Sequence, residues 1–140
     1  MADIRKLTEH LSVAPQITEA DVAEIAQSEF RSILCNRPDQ EEADQPFYAA
    51  IQKQAESAGI EIRFQPVNGG NISDADVYDF EQNINDLPQP VLAYCRSGTR
   101  CAALWALSQA GDQSADDILK TAAEAGYSLE ALRPRIADLE

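Results

Sequence analysis

The residues Cys95-Arg96-Ser97-Gly98-Thr99-Arg100 bring a nucleophile, a glycine and two guanidinium groups into six consecutive positions. They follow the apolar run Val91-Leu92-Ala93-Tyr94 and lead into an apolar stretch from Cys101 to Ala110. A buried strand that feeds a tight loop and then a buried helix aims backbone N–H groups and the positive end of the helix dipole at one point. A thiol at that point favours its thiolate, because amides and arginines both stabilise negative charge. Nucleophilic chemistry at Cys95 is therefore the expectation, with Arg100 binding an anionic substrate. Arg96, Ser97, Gly98 and Thr99 form the rest of the anion-binding loop. Gly98 supplies a backbone conformation closed to other residues, and Ser97 or Thr99 is placed to donate a hydroxyl to the thiolate.

Other residues carry weaker signals. Arg37 either contacts substrate or pairs with the nearby Glu41 and Glu42. Asp39, after Pro38, is an auxiliary candidate or a turn and cap residue. Asn68 and Asn71 read most simply as loop formers, with Asn68 kept as an auxiliary candidate. Cys101 lies in an apolar helix and packs there, although its spacing from Cys95 leaves a resolving or sulfur-accepting role open. Cys35 reads as packing at a strand end. Three scattered cysteines and the single His10 do not make a four-ligand zinc site, and no cofactor is expected.

Composition narrows the partners. A net charge of -13 opposes binding to nucleic acid or to an anionic membrane surface. It still permits a small anionic substrate, since local arginines act inside a screening length of about 8–10 Å. The N-terminal residues contain no apolar signal core, and no run approaches the roughly 20 apolar residues of a membrane span. Reduced thiols then fit a cytoplasmic location.

The elements that must position the loop can be read in order. Ile4–Leu7 and Leu11–Val13 form a hairpin of short strands around Thr8-Glu9-His10. Thr18 caps a helix that presents Val22, Ile25, Ala26 and Phe30 on one face. Ser32–Cys35 is a short strand ending in Asn36-Arg37-Pro38-Asp39. Pro46 opens a helix that reaches Ala58 and stops at Gly59. A strand over Ile60–Val67 places Ile60, Ile62 and Phe64 on one face and ends at Asn68-Gly69-Gly70-Asn71. Ser73 caps a helix over Asp74–Ile84. After the cysteine strand and its helix, Ser114 caps a helix to Ala125 closed by Gly126. A last helix begins at Ser128 and is split or kinked by Pro134. Strands alternating with helices predict one α/β domain over residues 1–140, with a mostly parallel sheet flanked by helices. Ligands bind beyond the carboxyl ends of such strands, where the loops after Cys35, Val67 and Tyr94 converge.

The cysteine loop resembles the active loop of rhodanese sulfurtransferases, and also that of cysteine-dependent phosphatases. The phosphatase pattern has five residues between cysteine and arginine; here there are four, and Cys101 stands where that arginine would be. Together with Asn36-Arg37-Pro38-Asp39, Pro66-Val67 and its glycine loop, Ala125-Gly126-Tyr127 and the Leu-rich C-terminal segment, the chain resembles the phosphatase-like domain of bacterial beta-lactamase-hydrolase-like proteins. That resemblance implies a dual-specificity-phosphatase-like fold. Some members are fused to a persulfide dioxygenase, which makes such an enzyme a candidate partner.

Dual-specificity phosphatases carry a general-acid aspartate after the preceding strand, where this chain has Pro66-Val67-Asn68-Gly69-Gly70. Loss of general acid catalysis costs about 10²–10⁴-fold for an alkoxide leaving group. Sulfite departs as a stable anion and needs no acid. The shorter loop also forms a smaller amide cradle, better matched to one sulfur atom than to a phosphoryl group. The favoured expectation is therefore a sulfurtransferase that carries sulfane sulfur on Cys95 from an anionic donor to a thiol acceptor. A cysteine phosphatase acting through a Cys95 phosphoenzyme is the alternative enzyme. A silent domain that binds an anion or a partner through the same edge is the non-enzymatic alternative.

Overall fold

The computed structural model describes residues 2–139. Five strands, β1 (Arg5–Lys6), β2 (Leu11–Ala14), β3 (Ser32–Cys35), β4 (Glu61–Phe64) and β5 (Val91–Tyr94), form one sheet in the order β1-β2-β5-β3-β4. Only β1 runs antiparallel, against β2; the other pairings are parallel. The mostly parallel, helix-flanked sheet expected from the sequence is thus present, and its last-made strand occupies the centre.

The sheet is buried on both sides because its central strands carry mostly apolar side chains toward both layers. Leu11, Val13, Leu34, Val91, Ala93 and Cys95 join one core. Ala14, Ile33, Cys35, Leu92 and Tyr94 join the other. The second core is closed by α1 (Glu19–Ala26) and α2 (Tyr48–Ser57) through Val22, Ile25, Ile51 and Ala55. The first is closed by α3 (Asp74–Asp86), α4 (Thr99–Ser108), α5 (Ala115–Glu124) and α6 (Arg133–Leu139), through Phe80, Leu104, Ile118 and Ile136 among others.

The helix following β3 therefore lies on the opposite face from the helix following β5. Adjacent strands whose connections part to opposite faces leave a crevice beyond their carboxyl ends. Cys95 and Asn36 are the first residues past those two strand ends.

Several element boundaries differ from expectation. Helix α1 ends at Ala26, with Gln27 as its cap. Phe30 is buried but belongs to the following loop, since Ser28 turns its hydroxyl back onto the Ile25 carbonyl (2.6 Å) and ends the helix. Strand β4 is shorter than Ile60–Val67, and as an edge strand it leaves Phe64 exposed to stack on Tyr48, 4.4 Å between ring centroids. Helix α4 starts at Thr99, because Gly98 in the left-handed conformation (φ 92°) forms its N-cap. Pro134 divides the C-terminal segment as expected. A short 3-10 turn, Glu130–Leu132, precedes it, and Pro134 sits in the first turn of α6, where its missing N–H costs no hydrogen bond.

Candidate active site

The loop from Cys95 to Gly98 folds back on its own cysteine. The Gly98 N–H donates to Cys95 Sγ at 3.1 Å, and the sulfur side chain is almost wholly buried. Gly98 is irreplaceable here for two reasons: its φ is 92°, and a Cβ on it would collide with the Tyr127 hydroxyl. Tyr127 thus forms the floor of the loop.

Cys95 is held well below the ordinary thiol range, at about 6. The leading cause is the Cys101 thiol, which hydrogen-bonds the Cys95 sulfur. Burial opposes ionisation, but the amides of Cys101 and Gly98 and the Arg100 charge outweigh it. Cys101 is fully buried, and burial beside the Cys95 charge pushes its own thiol far upward, so it remains a proton donor. Cys101 Sγ also lies 3.2 Å from Asn36 Oδ1. Asn36, itself fully buried, is fixed by its Nδ2 donating to the Gln65 carbonyl at 3.0 Å.

Arg100 reaches across the crevice. Its Nη1 donates to the Val67 carbonyl (3.1 Å) and the Asn36 carbonyl (3.4 Å), which joins the three loops expected to converge. Gly69 packs against its Nε so closely that a Cβ there would sit 2.8 Å away. A cleft of 400 Å³ opens above Cys95, lined by Asn68, Gly69, Arg96, Ser97, Thr99 and Arg100 among others. Glu41 is the sole carboxylate among the described residues lining it. Burial pushes the Glu41 carboxyl upward, but hydrogen bonds from Arg37 and Arg100 prevail and hold it below its usual range. It is ionised wherever Cys95 is, and so is a poor proton donor.

The remaining candidates sort clearly. Arg37 does not line the cleft: its side chain is 3% exposed and its guanidinium is taken by Glu41 (2.9 Å), Glu42 (2.7 Å) and the Gln16 side chain (3.1 Å). Of the two expectations for Arg37, pairing with the glutamates holds. Asp39 caps α2 by accepting the Tyr48 N–H at 2.8 Å. Ser97 and Thr99 bond each other at 3.1 Å rather than the thiolate. Arg96 is exposed and pairs with Glu42 (3.1 Å). Asn68 lines the cleft and closes its own loop by accepting the Gly70 N–H at 2.9 Å. Cys35 is buried on the other sheet face, its S–H directed to the Arg37 carbonyl at 3.4 Å. Asp76 and Asp74 are engaged at the start of α3, Asp76 in the capping box with Ser73 and Asp74 with Arg135. Glu41 and Tyr127 are the site residues that spacing alone did not single out. The only sequence signal for Glu41 is its place four residues after Arg37.

The family described as beta-lactamase hydrolase-like protein, phosphatase-like domain, matches residues 3–112. This chain belongs to that family. A beta-lactamase hydrolase-like protein of Agrobacterium fabrum is 36% identical over 107 residues, which are 76% of this chain and 25% of that protein. One from Xylella fastidiosa is 38% identical over 106 residues with the same coverage of each. The matched part is thus about a quarter of the length of these curated relatives. Among solved structures, a candidate phosphatase from Neisseria meningitidis is 44% identical, covers 98% of both chains and superposes with a TM-score of 0.90. The core catalytic domain of a PP-IP phosphatase from S. cerevisiae shares the fold at a TM-score of 0.72 and 16% identity, over 96% of this chain and 83% of that one. The phosphatase-like domain family and its fold, expected from the loop and flanking motifs, are established. No helix among the described residues is long and apolar enough to cross a membrane.

Proposed function

We propose that this phosphatase-like domain is a cysteine-dependent sulfurtransferase. One observation carries that reading: the cleft combines a stabilised thiolate and an anion-binding arginine with a single lining carboxylate among the described residues, Glu41, which its pairing with Arg37 helps to keep ionised. Such a site can expel a leaving group that is already a stable anion, but has no acid placed to protonate an alkoxide. The Cys95 thiolate attacks the outer sulfur of thiosulfate. The S–S bond of the donor breaks, sulfite departs with its electron pair, and Cys95 becomes a persulfide anion. An acceptor thiolate then attacks the terminal sulfur and leaves as its own persulfide, which regenerates the Cys95 thiolate. The Gly98 and Cys101 amides are placed to stabilise the sulfur anion, and Arg100 to bind the donor's oxygens. A persulfide dioxygenase that consumes the product persulfide is the partner this reading favours, and the cytoplasm the compartment.

A second reading, hydrolysis of phosphate monoesters through a Cys95 phosphoenzyme, is favoured by the comparisons. The Neisseria relative, 44% identical over nearly the whole chain, is described as a candidate phosphatase, and the family as phosphatase-like. Thiosulfate:cyanide and aryl-phosphate turnover, each measured on wild type and Cys95→Ser, separates the two. Sulfur transfer lost in the variant, with a one-sulfur mass gain on wild-type Cys95, is the expected result. Aryl-phosphate turnover without sulfur transfer overturns it in favour of the second reading. Silence in both assays leaves an anion- or partner-binding domain.

A further inference from the structure

The anion seat of this site is already filled by the protein's own carboxylate. Glu41 Oε1 accepts from Arg100 Nη2 at 3.3 Å, and Glu41 Oε2 lies 3.2 Å from Arg100 Nη1. The first is a hydrogen bond and the second an ion-pair contact, so both carboxylate oxygens lie against the guanidinium. The other Arg100 contacts are fixed: Nη1 is anchored to two main-chain carbonyls, and Nε is buried without a hydrogen-bond partner behind Gly69. An incoming oxyanion that grips this guanidinium through Nη2 therefore competes with Glu41.

The segment that carries Glu41 is an irregular strap held by side-chain contacts. Glu41 and Glu42 lie in an irregular stretch between β3 and α2, and the Gln45 side chain clips it in place. Gln45 Oε1 accepts the N–H groups of Glu41 (3.1 Å) and Glu42 (3.3 Å), while its Nε2 donates to the Pro38 carbonyl (2.8 Å). Gln40, at the strap's start, is a non-glycine residue at φ 64°, a left-handed conformation disfavoured for a side chain. Glu42 and Gln16 also hold the buried Arg37, so its anchoring does not rest on Glu41 alone.

We propose that Glu41 is a displaceable substrate mimic that sets the site's affinity and specificity: an anion takes Arg100 in competition with Glu41. The ligands selected are those with at least two anionic oxygens able to replace both carboxylate contacts, such as thiosulfate or a phosphate group. An alkyl persulfide with no oxyanion cannot make that exchange. The proposal rests on the Arg100 anion seat common to both functional readings, not on which group Cys95 carries.

The test is a titration of the full chain carrying Cys95→Ser, so that binding is read without turnover, with thiosulfate and inorganic phosphate as separate probes. Adding Glu41→Gln, which keeps the acceptor toward Arg37 but removes the charge, is expected to tighten binding of at least one probe by about fivefold or more. Glu29→Gln, which removes one charge from an exposed position outside the cleft lining, changes affinity less than about twofold. In the parent protein, saturating probe must also shift the backbone amide resonances of Glu41 and Glu42, whose clip to Gln45 loosens. Unchanged or weaker binding in Glu41→Gln, or unmoved strap amides at saturation, overturns the proposal. Phosphate binding without thiosulfate binding would sink the sulfur-donor reading and leave the strap to be judged on phosphate.

Discussion

Two cysteines stand at the ends of neighbouring parallel strands and differ sharply in acidity. Cys95, just past β5, is lowered to about 6, whereas Cys35, the last residue of β3, is raised to about 11. Burial alone pushes both upward, so it does not distinguish them. The difference lies in what each sulfur meets. Cys95 accepts from Gly98 and Cys101 groups at the start of α4; Cys35 donates to the Arg37 carbonyl. One residue of register also separates them. Cys35 pairs with Tyr94, so it faces the α1–α2 core, and the position level with Cys95 on β3 is Asn36. Because side chains alternate faces along a strand, a shift of one residue decides which layer a thiol enters. A strand-end cysteine becomes reactive through the loop that follows it, not through its place at the edge.

The contrast can be broken at four points. Cys95→Ser is expected to lower turnover by about 10³-fold or more, measured as sulfane-sulfur transfer or aryl-phosphate hydrolysis, whichever the wild type performs. Gly98→Ala comes next, with a loss of about 10²-fold in kcat/KM, because the new Cβ meets Tyr127 and displaces the loop amides.

Cys101→Ala removes the thiol that donates to Cys95. In wild type, alkylation of Cys95 by iodoacetamide rises through about pH 6 and levels off above it, since the thiolate is the reactive form. In the variant the midpoint moves up by about one unit. An unmoved midpoint would show that the amides and Arg100 alone account for the acidity. Smallest of all, Cys35→Ser leaves turnover within about twofold, and peptide mapping finds wild-type Cys35 unlabelled at neutral pH while folded. Labelling of Cys35 at the rate of Cys95 would abolish the contrast altogether.

Much of this architecture is legible from local patterns. The apolar run at Val91–Tyr94, the caps Thr18, Ser73 and Ser114, and the breakers Gly59 and Gly126 each act through neighbours a few residues away, so spacing reveals them. The nucleophile is legible for the same reason, as its thiolate is stabilised within its own loop. Arg37 and Glu41 are harder. Their roles depend on a strap whose fold is set by Gln45 and by an arginine 59 positions further along the chain. Phe30 misleads because its burial comes from the chain turning back after α1, not from helical periodicity.

Tyr127 gives the domain a practical boundary. The family match ends at residue 112, yet the floor beneath Gly98 is supplied at 127. Arg135 of α6 ties that same segment to the cleft by donating to the Ile72 carbonyl at 2.8 Å, and Ile72 lines the cleft wall. Ile118, Leu129 and Ile136 complete the core on the Cys95 face. An expression fragment cut where the family match ends would keep every residue of the cysteine loop and lose the surface against which that loop is shaped. The core beneath the cysteine loop extends through α6.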